Sequence, residues 1–128
     1  MAARNFQKGG VLTLQRDPVK IWAKGTGAAT DALTALVSAG GGVVSIDQTG
    51  TGLYTVLLAD KYEKLLMVSG CVIDPTGPDE WVVQVAAESV ASAKTINLQI
   101  FKGGALADLS TDEKLLLEIT LANTSRVS

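Results

Sequence analysis

The sequence predicts an all-β protein, an antiparallel β-sandwich of jelly-roll-like type with about eight strands. Its hydrophobic residues recur mostly with a period of two, the period of a strand with one buried face. The periodic segments are short, and clusters of Gly, Pro, Asp and Asn separate them. No series of amphipathic helices is present that could connect parallel strands. These observations favour an antiparallel sandwich over a parallel sheet.

The length of the chain fits one domain. Its 128 residues are about what a single core of ordinary size can bury. We expect an N-terminal arm over residues 1–10, one β-sandwich domain over 11–122 and a C-terminal tail over 123–128. Both terminal segments are candidates for contacts with a neighbouring subunit.

Each predicted strand is a short apolar or alternating run between turn-forming residues. In chain order the strands are Val11–Gln15, Val19–Lys24, Val43–Asp47, Leu53–Leu58, Leu65–Asp74, Trp81–Ala87, Lys94–Phe101 and a last strand with Leu115, Leu117, Ile119 and Leu121 inward. The segment Gln48–Gly52 is expected to close a hairpin. The alternation in Lys94–Phe101 predicts that Ile96, Leu98 and Ile100 face the core.

Two stretches have a less regular pattern. The segment Gly25–Gly42 is rich in glycine and small residues, which predicts either a loop or one short helix over 28–39. Asp31 would cap that helix and Gly40 would end it. The polar run Asp60–Lys64 suits a single helical turn.

Three side chains are expected in the core. The alternation in Leu65–Asp74 places on one face Met67, Ser69, Cys71 and Ile73. Cys71 is therefore predicted to be a small buried hydrophobic residue. Trp22 and Trp81 each lie in an apolar strand, where a core position is favoured over the alternative of an interface anchor.

The composition indicates a protein that a partner covers in part. Hydrophobic residues make up 47% of the chain and charged residues only 19%, which is an apolar surplus for a small domain. The alternative is that abundant Ala and Val inflate the hydrophobic share. The net charge is −2 and the basic residues are scattered, so nucleic-acid binding is not expected. No apolar run is long enough for a membrane span or a secretory signal.

No catalytic, cofactor-binding or metal-binding residues are predicted. The chain has no histidine, which removes the commonest general base and the histidine-containing zinc sites. Without histidine, Cys71 lacks the usual partner that generates a thiolate. The acidic pair Asp79 and Glu80, near Asp74, is the basis for one alternative, a small enzyme that uses only carboxylates.

Two other segments resemble ligand-binding motifs incompletely. Gly25–Thr30 comes close to a dinucleotide fingerprint but has Thr30 at the third glycine, so a flexible loop is expected. Asp108–Asp112 begins like a calcium loop, but Glu113 stands where the glycine belongs and Ile119 at the twelfth position. We therefore expect Gly103–Glu113 to be a solvated acidic loop.

A resemblance to a known group begins at the fourth strand. The segment Gly50–Tyr62, in which a Gly-x-Gly-x-Tyr-Thr-Val strand leads into an Asp-x-Tyr turn, resembles a segment recurrent in small bacteriophage structural proteins. Val90–Ile96 and the close of the last strand on Leu121–Ser125 are similar to that group as well. The resemblance covers roughly residues 43–125. It implies a virion component without catalytic residues, made in the host cytoplasm and then built onto the particle.

Two functions follow from this resemblance. The first is a capsid decoration or cement protein that binds the major capsid protein on the outside of the head as a homo-oligomer, either dimer or trimer. The alternative is a trimeric tail-fibre or spike module involved in host attachment. Neither function needs a cofactor, nucleic acid or a membrane.

Overall fold

The structure is a computed structural model that describes residues 18–28, 32–38, 41–77 and 79–122. These residues form antiparallel strands in two sheets and include no α-helix. The strands are β1 (Pro18–Thr26), β2 (Thr34–Ser38), β3 (Val43–Gly50), β4 (Leu53–Leu58), β5 (Lys64–Ile73), β6 (Trp81–Ser89), β7 (Thr95–Lys102), β8 (Ala105–Leu106) and β9 (Lys114–Ala122). The all-β, antiparallel prediction is confirmed. Nine strands are described, of which β8 has only two residues.

The two sheets are arranged as a sandwich. Sheet 1 has the strand order β2-β1-β9-β5, and sheet 2 has the order β3-β4-β7-β6 with β8 paired to β7. The hairpins β1–β2, β3–β4 and β6–β7 each stay within one sheet. The jelly-roll part of the prediction is therefore not confirmed. The last strand lies between β1 and β5 and pairs with β1 along its whole length, from Pro18 opposite Ala122 to Thr26 opposite Lys114.

The core lies between the sheets and follows the predicted alternation. In β7 the inward side chains of Ile96, Leu98 and Ile100 are at most 1% exposed. In β9 the inward residues are at most 4% exposed; they are Leu115, Leu117, Ile119 and Leu121. Full burial of a Leu or Ile side chain stabilises the fold by about 1.5–3 kcal/mol. These two strands occupy inner positions in their sheets and supply much of that stabilisation.

The predicted helix over 28–39 is wrong for the described part, because Thr34–Ser38 is strand β2. This strand pairs with β1 from Ala23 opposite Ser38 to Thr26 opposite Thr34, with a bulge. Ala35 has φ 49°, a left-handed value that suits the extra residue of a bulge. Tertiary pairing with β1 thus overrides the weak local preference of these small residues. The proposed capping residues Asp31 and Gly40 lie outside the described residues, as do Val11–Gln15 and both terminal segments.

The predicted helical turn at Asp60–Lys64 is also wrong. Residues 60–63 form an irregular connection with bends, and Lys64 already begins β5. The main-chain N–H of Tyr62 donates to the carbonyl of Val90 at 3.0 Å, and that of Glu63 donates to Ala122 at 3.0 Å. These two main-chain N–H groups thus bind distant segments of the chain, which satisfies them without a helical turn.

The segment Gly103–Glu113 is not a solvated loop at its centre. Leu109 is fully buried, and its N–H donates to the hydroxyl of the buried Tyr54 at 2.9 Å. Asp108 accepts hydrogen bonds from Gly52 N at 2.8 Å and from Gln48 Nε2 at 2.5 Å. Burial raises the pKa of the Tyr54 hydroxyl. These contacts dock the segment against the β3–β4 hairpin.

Candidate interaction face

The outer surface of sheet 1 carries large apolar side chains that no described residue covers. We call this surface the apolar face and define it by the outward residues Trp22, Val37, Met67, Cys71, Ile73 and Leu116. Val37 is 65% exposed, Met67 61% and Trp22 58%. Exposed apolar groups that cluster on one face of a small domain are typical of a contact surface for another macromolecule.

The strand register brings the central members of this face together. Lys24 of β1 lies opposite Val37 on one side and opposite Leu116 on the other, and Leu116 lies opposite Cys71. Because directly opposed residues point to the same face, these side chains form one row across the sheet. The neighbouring row consists of Trp22, Glu118 and Ser69. Together the rows line a shallow groove of about 490 Å³.

Trp22 is held in position by a charged neighbour. Its indole N–H donates to Glu118 Oε2 at 2.8 Å, and Lys20 Nζ lies 3.8 Å from the same oxygen. Glu118 lies directly opposite Trp22 on β9. A fixed, amphipathic aromatic ring with an apolar body is the kind of side chain that anchors protein interfaces.

The charged side chains on the outer side of β1 and β9 are mostly positive. Alternation along β1 and β9 places Lys20, Lys24 and Lys114 on the outer side, together with Glu118. Three lysines against one glutamate contrast with the net charge of −2 for the whole chain. A partner that matches this surface would offer apolar groups bordered by carboxylates.

Two sequence predictions about this face are wrong. Trp22 is not a core residue, and Cys71 is exposed rather than buried. The sequence correctly grouped Cys71 with Met67, Ser69 and Ile73 on one face, but that face points outward. On the inner side of β5, Gly70 lies against Val83 and Leu117 of the core. Only the pairing of β5 with β9 decides which face is buried.

Trp81 meets the prediction of a core position in part. It is half-buried and packs against the core. Its indole N–H donates to Asp74 Oδ2 at 2.9 Å, and Lys102 Nζ lies 5.3 Å from the centre of its ring. Lys102 also forms an ion pair with Asp79 at 3.3 Å, which raises the pKa of the lysine.

Asp74 accepts three hydrogen bonds, one from Trp81 and two from Thr76. The indole of Trp81 holds the pKa of the Asp74 carboxyl well below its usual range, and the hydroxyl and N–H of Thr76 add to this effect. At neutral pH the residue is therefore a carboxylate that closes the turn between β5 and β6. Glu80, the other acid considered for catalysis, is exposed.

The glycine-rich segment Gly25–Thr30, which resembles a dinucleotide fingerprint, is part of the packed fold where the structure describes it. Gly25 and Thr26 end β1 and are not a flexible loop, while Ala29 and Thr30 lie outside the described residues. At Gly27 a Cβ atom would overlap the carbonyl oxygen of Ser110, so only glycine allows this close approach. Among the residues that the structure describes, no group of three acidic, cysteine or histidine side chains is placed to hold a metal ion.

The described part of the chain includes no helix that is long and apolar enough to cross a membrane. No protein-family model, no curated protein and no solved structure matches the chain. Fold and site define the class as a small antiparallel β-sandwich with an exposed apolar sheet face.

Proposed function

We propose that this protein is a non-enzymatic structural component of a phage virion, which binds the outside of the capsid as a decoration protein and stabilises the head. The single observation that carries the binding role is the apolar face of sheet 1. The phage assignment is supported by the resemblance of Gly50–Tyr62 to small phage structural proteins. A decoration protein must cover part of a repeating protein surface, and a rigid sheet with uncovered apolar side chains is suited to that task.

The chemistry of the face indicates the kind of capsid surface that it would contact. Trp22 and its apolar neighbours would be desolvated at the centre, where Lys24 also lines the groove, while Lys20 and Lys114 would lie toward the rim. Rim charges mainly affect the association rate and its salt dependence, whereas buried aromatic and aliphatic anchors carry most of the affinity. The proposed partner is a capsid protein surface with apolar groups and nearby carboxylates.

Binding to undecorated capsids tests this proposal directly. Purified protein is mixed with capsids that lack it, and the bound fraction is measured by co-sedimentation over a range of concentrations. We expect saturable binding that Val37→Asn or Met67→Asn weakens about tenfold, because burying an amide without a hydrogen-bond partner costs about 1–3 kcal/mol and about 1.4 kcal/mol is a factor of ten. Val44→Asn is the matched control, since Val44 is 56% exposed but lies on β3 of sheet 2.

The result can contradict the proposal in two ways. Failure of the unmodified protein to bind capsids would remove the decoration role. Equal loss of binding in all three variants would remove the role of the apolar face. Electron cryomicroscopy of the virion adds the location, since density on tail fibres in place of the head would support the trimeric fibre alternative.

A further inference from the structure

Strand β1 has an open edge over its first half. On one side β1 pairs with β9 over its whole length, but on the other side it pairs with β2 only from Ala23 to Thr26. Within the described ranges, no residue pairs with Pro18–Trp22 on that second side. An open stretch of strand is a template for a further β-strand.

The path of the chain after β2 explains why the edge stays open. Ser38, opposite Ala23, accepts a hydrogen bond from Val43 N at 3.1 Å, and Val43 already belongs to sheet 2. Gly42 packs against Ile21, where a Cβ atom would lie 2.8 Å from Ile21 Cγ2, and its carbonyl accepts from Ala59 N at 2.9 Å. The described residues on either side of positions 39 and 40 thus lead from β2 to sheet 2, and none of them pairs with Pro18–Trp22.

The segment before β1 has the length and pattern to fill this edge. Residues 1–17 lie outside the described structure and end next to Pro18, the first residue of the open stretch. Within them, Val11–Gln15 is the predicted strand, with Leu12 and Leu14 on one face. Its five residues match the five residues of Pro18–Trp22.

The two residues between Val11–Gln15 and Pro18 disfavour a hairpin in which the segment pairs with β1 of the same copy. A tight hairpin would place a two-residue turn at Arg16 and Asp17, and such turns need positive φ values, which Asn-Gly supplies best. The closing hydrogen bond would need an N–H at Pro18, which proline lacks. A residue before proline is also restricted to extended conformations, which disfavours a tight turn at Asp17.

We propose that Val11–Gln15 of one copy pairs with the open edge Pro18–Trp22 of a second copy, so that the protein assembles by strand exchange. The inference rests on the proposed decoration role, for which a homo-oligomer is expected, but its test needs no capsid. Exchange of an identical element between copies is an economical route to a symmetric dimer, and every added backbone hydrogen bond replaces one made to water.

Three forms of the protein test this inference: the unmodified chain, a chain that lacks residues 1–16, and the triple variant Arg16→Asn, Asp17→Gly and Pro18→Val. Mass is measured by sedimentation equilibrium, and amide hydrogen exchange is followed for residues 11–22. We expect the unmodified chain to be an oligomer in which those amides of Val19–Trp22 that point away from β9 are protected, since β9 already binds the alternate ones. The shortened chain should be a monomer that loses this protection. The triple variant should be a monomer that keeps it, because an Asn-Gly turn allows the hairpin within one copy.

The control is Pro75→Val, which changes a proline in the turn between β5 and β6 and should leave the oligomer intact. Far-ultraviolet circular dichroism and urea unfolding verify that each variant folds. A monomeric unmodified chain would overturn the inference, as would an oligomer that persists without residues 1–16. Capsid binding is measured separately: binding by a monomeric chain removes only strand exchange, and an exchanged oligomer that does not bind removes only the decoration role.

Discussion

Gly52 occupies a position where an added methyl group has no space. It lies in the connection between β3 and β4 with φ +69°, a conformation that L-residues adopt at a cost of about 1–2 kcal/mol. A Cβ atom there would lie 2.8 Å from the carbonyl oxygen of Ile100 and 2.9 Å from the main-chain nitrogen of Ala107. Both neighbours are backbone atoms that are themselves hydrogen-bonded to each other, at 3.0 Å.

The matched control is Gly103, which has a similar φ of +61° but no atom within 4 Å of the position that a Cβ atom would take. Replacing either glycine with alanine lowers the entropy of the unfolded chain, which stabilises the protein by about 0.4–1 kcal/mol. Because both variants share this effect, it cancels in the comparison. Overpacking costs about 1–3 kcal/mol and applies only at Gly52. We therefore expect Gly52→Ala to lower the free energy of unfolding by about 1–3 kcal/mol more than Gly103→Ala.

Urea unfolding followed by tryptophan fluorescence measures both changes. The difference in midpoint converts to free energy through the denaturant slope, provided that the slope is the same in both variants. A difference of less than about 0.5 kcal/mol would refute the reasoning, because that is within the usual effect of a surface substitution. Such a result would mean that Ile100 and Ala107 do not approach Gly52 as closely as the structure has them.

Two further predictions concern hydrogen bonds found only in the tertiary structure. Tyr54→Phe should lower the free energy of unfolding by about 1–3 kcal/mol in the same urea assay, because the buried N–H of Leu109 loses its acceptor. Tyr62→Phe is the control, and an equal effect would contradict the argument. The lowered pKa of Asp74 means that its contribution to stability is present above pH 3.8, its ordinary pKa, and is lost as the pH falls toward the folded value. The urea midpoint of Asp74→Asn should thus be below that of the unmodified protein at pH 6, and the gap should narrow as the pH is lowered from 4 toward 2, whereas a constant gap would argue against this role.

The sequence predicts well where one face of a strand is clearly more apolar than the other. In β7 the inward residues Ile96, Leu98 and Ile100 alternate with polar ones, so the period alone identifies the core side. In β5 both faces carry apolar residues, and the sequence grouped Cys71 correctly but assigned its face to the core. The candidate site lies on that misassigned face. Trp22 was considered as an interface anchor, but nothing in the sequence singled out Val37 or Leu116 as its neighbours.

The sequence by itself determined the all-β class, the limits of most strands and the alternation within them, because these depend on residues only a few positions apart. The tertiary structure decided which strands pair, and through that pairing which face of β5 is covered and which stretch of β1 stays open. These features depend on contacts between residues far apart in the chain, such as Trp22 with Glu118. Local periodicity cannot report them, because a strand has the same pattern whichever neighbour covers it.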